Sequence, residues 1–235
     1  MTDSEVPDSR WRRRHVLAAG LAGVGTLAFA GGPPASAAPP TTVSTRMRWS
    51  RATSQNGWPI VNSDATHLYR VEGSNASVAL LIGEVATILL YVVRRFHYEI
   101  GAVAVGAVTG HRESRRISTP YESDYLSGTA VAIWPDRYPT GARGGLFTHE
   151  VAVVRDILAE CEGVVRWGGD HPASPKEGHF QIDVRPGNGR LFRVAAKIGS
   201  WNTTPGVGAG TPSDIYSPRR HRAASDLAKL QQRPA

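Results

Sequence analysis

The chain has 235 residues, with 27 Lys+Arg against 20 Asp+Glu and a formal net charge of +7. Lysine contributes only Lys176, Lys197 and Lys229, so the excess is arginine. No basic amphipathic helix or aromatic-interleaved basic stripe accompanies it, which argues against nucleic-acid binding. The single cysteine, Cys161, excludes an internal disulfide and, on an apolar helical position, reads as a buried thiol.

The first segment has the order of an export signal. Arg10, Arg12, Arg13 and Arg14 form a positive block, and Val16 to Ala30 is uncharged and mainly apolar. Gly31-Gly32-Pro33-Pro34 breaks the run, and Ala35-Ser36-Ala37 supplies a small-x-small cleavage site. Arg13-Arg14-His15-Val16-Leu17 resembles the twin-arginine pattern. The run is too short and glycine-rich for a good membrane span of ~20 apolar residues. Residues 1–37 are therefore expected to be removed on export, with no stable membrane span afterwards. Four arginines and three acids leave with them. The remaining 198 residues carry 23 basic and 17 acidic side chains, a net +6.

Residues 38–56 are rich in Pro, Thr and Ser and read as a linker, with a domain over 57–200 and a flexible tail over 201–235. Leu68 to Val71 reads as a short strand. Val78 to His97 reads as one core helix, because Leu81, Val85, Ile88, Leu89, Val92 and Phe96 share a helical face. Gly101 to Val108 reads as strand or extended chain, and Gly128 to Trp134 as a strand. Thr148 is the expected N-cap of a helix from His149 to Glu162, with Glu150 in its first turn and Gly163 at its end. His149 in that first turn reads as a surface residue. Val164 to Trp167 and His179 to Val184 read as strands flanking a loop over Gly168–Gly178. Leu191 to Ile198 is an apolar patch, and Asp214 to Leu230 has room for one helix. Helices on a small, mostly antiparallel sheet make an α+β class.

Three segments carry a resemblance. They are Ser123-Asp124-Tyr125-Leu126-Ser127-Gly128-Thr129-Ala130-Val131-Ala132-Ile133, Gly163-Val164-Val165-Arg166-Trp167-Gly168-Gly169-Asp170, and Glu177-Gly178-His179-Phe180. In this order and spacing they resemble zinc D-alanyl-D-alanine carboxypeptidases and dipeptidases of the VanY type, over roughly Asn56 to Val184. The resemblance implies a D-Ala-D-Ala peptidase-like fold and metal-assisted peptide hydrolysis. It implies a zinc held by a His and an Asp seven residues apart and by the His of the His-Phe pair. A carboxylate three residues before that last His would act as base, and an upstream arginine would stabilise the developing charge. A catalytic zinc needs three protein ligands and one open position.

This sequence departs from that pattern. Tyr125 stands at the first His position, Ala132 at the Asp position and Lys176 at the base position; only His179 remains. Arg115 or Arg116 matches the arginine in a loose register. Ser127, Gly128, Trp167 and Asp170 match site-forming positions, Trp167 and Asp170 being equally readable as a core Trp and a turn-forming Asp. Asp124, Asp170, His171 and Glu177 are the polar groups from which a rearranged metal site would have to be drawn, with Glu177 as a substitute base. The expectation is a pseudoenzyme without a cofactor, binding peptidoglycan or D-Ala-terminated peptides. The alternatives are an active zinc peptidase with rearranged ligands and a structural or interaction protein of the cell envelope.

Overall fold

The computed structural model describes residues 46–232. The segment read as an export signal and the start of the segment read as a linker lie outside these residues. Helices and small antiparallel sheets alternate along the chain, as the α+β reading expects.

The main sheet has four antiparallel strands: β4 (Val108–Thr109), β6 (Ala130–Ile133), β7 (Val165–Trp167) and β8 (His179–Ile182), in the order β4-β6-β8-β7. Side chains alternate between the two faces of a strand. Register pairs Val131 with Phe180, and Trp167 with Phe180 from the other side. This face meets helix α1 (Glu84–Glu99), whose Phe96 ring packs edge-on against Phe180 with centroids 6.3 Å apart. Register also pairs Ala130 with Gln181, Ala132 with His179, and Arg166 with Gln181. That second face, turned away from α1, carries the candidate site.

Helices α2 (Thr148–Glu160), α3 (Gly189–Trp201) and α4 (Pro218–Gln231) complete the helical layer, α3 packing on α1 and α4 on α2. Two smaller ribbons remain. One joins β1 (Met47–Arg48) to β5 (Arg116–Ile117), and the other joins β2 (Thr66–Arg70) to β3 (Ser77–Leu81). Among the described residues, no helix is long and apolar enough to cross a membrane.

Several expectations are corrected. The run from Val78 is not one helix. Val78 and Leu80 are buried while Ala79 and Leu81 are half-buried, a strand alternation, and Gly83 at φ 103 turns the chain into α1. Gly101 to Ala107 forms no strand; only Val108–Thr109 pairs with β6. The patch from Leu191 is part of a full helix, α3, started by the Asn188 side chain accepting from the Arg190 N–H at 2.9 Å. Helix α2 begins at Thr148 itself, with the Glu150 carboxylate accepting from the Phe147 N–H at 2.7 Å.

Residues 46–56 are no linker: Trp49 is buried, and the Asn56 side chain donates to Thr129 Oγ1 (2.8 Å) and the Ile182 carbonyl (2.9 Å). Nor is 201–232 a free tail. Helix α4 is docked by Arg220 on Asp156 and Glu160, and by Gln231 donating to the Val165 carbonyl at 2.8 Å. Cys161 is fully buried, and burial pushes its thiol up to about 12, so it is inert toward thiolate chemistry. His149 is exposed, as its position implied.

Candidate functional site

The second sheet face gathers Tyr125, Ala132 and His179. Ala132 and His179 are register partners on adjacent strands, so their side chains share that face. Tyr125 ends a 3-10 turn, Pro120–Tyr125, that leads into β6 through Ser127-Gly128. Gly128 sits at φ 66, and a Cβ there would meet the Leu81 backbone nitrogen at 2.8 Å, so the turn requires glycine. The Tyr125 hydroxyl reaches His179 Nδ1 at 2.6 Å, and His179 Nε2 lies 2.8 Å from Gln181 Oε1. Tyr125, Ala132 and His179 are all at most 2% exposed.

Burial pushes the His179 imidazole down to about 3. The ring is therefore neutral with a single N–H. Gln181 Oε1 only accepts, so that proton is on Nε2, and Nδ1 accepts from the Tyr125 hydroxyl. Burial, with Glu122 next, holds the Tyr125 phenol well above its ordinary value, so it stays a donor.

Lys176 is also brought here. Its ammonium donates to Glu122 Oε1 at 2.9 Å and lies 5.4 Å from the Tyr125 ring centre. Burial alone would raise the Glu122 carboxyl, but Lys176, the Ser118 N–H and Arg112 together bring it below its ordinary value. The arginine of the site is Arg112, neither Arg115 nor Arg116. Arg112 lies 3.6 Å from Glu122 and 4.9 Å over the Tyr125 ring. Arg115 instead donates to the Arg51 carbonyl at 3.0 Å, and Arg116 is on the exposed ribbon.

The other matched positions have structural partners, and Trp167 and Asp170 also line the cleft described below. Ser127 is buried, bonded to the Asp124 carbonyl (3.0 Å) and Thr129 Oγ1 (2.8 Å). Trp167 is on the opposite sheet face, in the core, with its indole N–H donating to the Glu177 carbonyl at 2.6 Å. Asp170 takes both guanidinium arms of Arg155 at 2.5 Å. Glu177 accepts from the backbone N–H groups of Gly144, Gly145 and Leu146 at 2.7–3.0 Å, so it clamps that loop and is no substitute base.

These residues do not fit a zinc ion. Both His179 nitrogens are engaged, Tyr125 is held protonated, Ala132 has no donor, and the Lys176 ammonium stands among them. Among the described residues, no group of three or more His, Cys, Asp or Glu is placed to hold a metal. A cleft of about 730 Å³ opens beyond Gln181, lined by Asn56, Tyr121, Arg166, Gln181, Asp183 and Arg185 among others. Gln181 thus joins the buried His179 to the cleft. Its signal was present, since residue i+2 on a strand shares a face with residue i.

Asp124 lies behind the turn, fully buried. Its Oδ1 accepts from the Asn56 N–H at 3.2 Å, while Oδ2 has no partner. Burial pushes its carboxyl up to about 8 against the opposing Asn56 bond. Between its unfolded value of 3.8 and about 8, the folded state holds a proton the unfolded chain lacks, so stability falls as pH rises. His179 acts oppositely between about 3 and 6.5, where the unfolded chain holds the extra proton. Between pH 6.5 and about 8, Asp124 is the group whose shift acts. Stability is expected to fall from there to about pH 8 by up to about 1.4 kcal/mol per pH unit. Asp124→Asn should flatten that decline in denaturant titrations. An unchanged slope in the variant would remove Asp124 as its cause.

Comparison with known proteins returned no match: no protein-family model, curated protein or solved structure matches this chain.

Proposed function

We propose that this chain is an exported, catalytically silent relative of zinc D-Ala-D-Ala carboxypeptidases, and that it binds peptidoglycan stem peptides at the cell wall without a metal. The observation that carries this reading is the convergence of Tyr125, Ala132 and His179 on one sheet face. The resemblance assigns those positions to one metal, and they are 54 and 7 residues apart in sequence from Tyr125. An arbitrary motif match has no reason to bring them together. In place of a metal, the hydroxyl–imidazole–amide chain from Tyr125 to Gln181 and the Lys176–Glu122 pair fill the site.

The cleft beyond Gln181 suits a peptide. Amides, Arg166 and Asp183 line it, and Tyr121 offers an aromatic wall. The test has two arms on the purified chain lacking residues 1–37. Elemental analysis is expected to find no stoichiometric zinc. Titration with a short peptide ending in D-Ala-D-Ala is expected to shift the Gln181 side-chain amide signals in NMR, without product forming. One zinc per chain, removed by chelation together with a peptidase activity, would overturn the reading. An unperturbed cleft would leave the envelope interaction protein as the better description.

A further inference from the structure

The β1–β5 ribbon carries positive charge that no described carboxylate neutralises. Arg48 and Arg116 are direct register partners, and both are exposed. Like charges directly opposite in a strand pair are destabilising. Arg46, just before β1, is also exposed and lines the same depression as Arg48 and Arg116. Arg115 spends its guanidinium on the Arg51 carbonyl (3.0 Å) and the Trp49 carbonyl (3.5 Å), and Arg51 lies 5.4 Å over the Trp49 ring. Among the described residues, none of these five arginines forms an ion pair with a carboxylate. Other described arginines fall both ways: Arg94 pairs with Glu72, Arg166 with Asp183 and Arg220 with Asp156, while Arg219 and Arg222 pair with no described carboxylate; what sets the ribbon apart is that Arg48 and Arg116 stand directly opposite one another. A depression of about 520 Å³ adjoins the ribbon, with Glu113 the one acid among its lining residues.

We infer that this ribbon is a docking surface for a linear polyanion with regularly repeated phosphodiester groups, an anionic glycopolymer of the cell wall. Arginine forks match phosphate oxygens two at a time, and Arg46, Arg48 and Arg116 around one depression match a repeated charge. The ribbon is ill suited to nucleic acid. Its one aromatic ring, Trp49, is 7% exposed and lies beneath Arg51, so no ring is available for bases to stack on. Its strands are two residues long, too short to read a major groove. Export, as proposed above, also removes the chain from the compartment that holds nucleic acid. None of the five arginines lines the cleft, so peptide binding and polymer binding succeed or fail separately.

The test uses the intact chain lacking residues 1–37, with poly(glycerol phosphate), double-stranded DNA and uncharged dextran as probes. Binding to poly(glycerol phosphate) is expected, weakening about tenfold as salt rises to about 0.2 M, with none to dextran. Arg48→Gln/Arg116→Gln, whose fold is checked by circular dichroism, is expected to weaken binding about tenfold and to flatten the salt dependence. Arg219→Gln/Arg222→Gln on α4 removes the same charge and should leave binding within about twofold. Absence of binding, equal loss in both variants, or tighter binding to DNA would each overturn the proposal.

Discussion

Arg95→Leu is expected to destabilise the fold by about 3–5 kcal/mol, the largest loss from any single substitution considered. Arg95 is 2% exposed on α1. Its guanidinium donates to Glu99, to Asp156 Oδ2 at 2.8 Å, to Glu160 and to the Tyr91 hydroxyl at 3.0 Å. Arg220 of α4 reaches the same Asp156 and Glu160 from outside. Two cations thus hold three carboxylates, and the network ties α1, α2 and α4 together. Leucine removes the inner cation and leaves Asp156, itself 2% exposed, facing Glu160 and Glu99 with only Arg220 to offset them. The cost is that of uncompensated buried charge, since the pair itself stabilises little against a hydrophobic isostere. Arg95→Leu combined with Asp156→Leu should therefore be less damaging than Arg95→Leu alone. Arg220→Gln, at the more exposed end, should cost less than Arg95→Leu and chiefly loosen α4. Denaturant midpoints of the four proteins check the order. A double variant at least as unstable as Arg95→Leu would show that packing, rather than charge, dominates.

How much of this was legible follows from which interactions are local. Helix α2, strands β6, β7 and β8, and the buried Cys161 could be read from periodicity and caps. The β3–α1 break was hidden because an apolar strand and an apolar helix run together, and only Gly83 and Glu84 mark the change. Helix α3 was legible beyond its apolar patch: Leu191, Val194, Ala195 and Ile198 stand at helical spacing. The convergence of Tyr125, Ala132 and His179 was expected from the resemblance alone; no periodicity implies it. Glu122 and Arg112 were not foreseeable, because the Lys176–Glu122 pair spans 54 residues and depends on the 3-10 turn that places Glu122 beside Tyr125. Composition also misled at both ends of the domain. A Pro/Thr/Ser-rich segment reads as linker, yet Trp49 and Asn56 fasten its end. A charged, glycine-bounded tail reads as mobile, yet Arg220 finds buried carboxylates that no sequence pattern reveals.

The same geometry makes restoration of a metal site the sharpest test of the family reading. Tyr125→His/Ala132→Asp/Lys176→Glu is expected to bind one zinc per chain where the parent binds none. Ala132 and His179 are cross-strand partners, so a carboxylate at 132 would sit beside the imidazole, with Cβ atoms about 5 Å apart. Replacing Tyr125 releases the bond that now occupies His179 Nδ1. Gln181 need not change: it accepts from Nε2–H and would orient the ring, as partners of metal-bound imidazoles do. Lys176 must go because an ammonium about 4 Å from a divalent ion is opposed by several kcal/mol in a partly buried site. Lys176→Glu also sets a second carboxylate beside Glu122, with Arg112 at 3.6 Å and the bound zinc to offset the two. Zinc uptake, read by elemental analysis after dialysis, should require both ligand substitutions. Lys176→Glu alone should bind no more zinc than the parent, because His179 would still be the only neutral donor. Bound zinc should also raise the melting temperature of the triple variant and not of the parent, since a ligand that binds only the folded state stabilises it. A triple variant that folds but takes up no zinc at millimolar excess would mean that the three positions share a face without sharing a centre, and the carboxypeptidase resemblance would lose its geometric support.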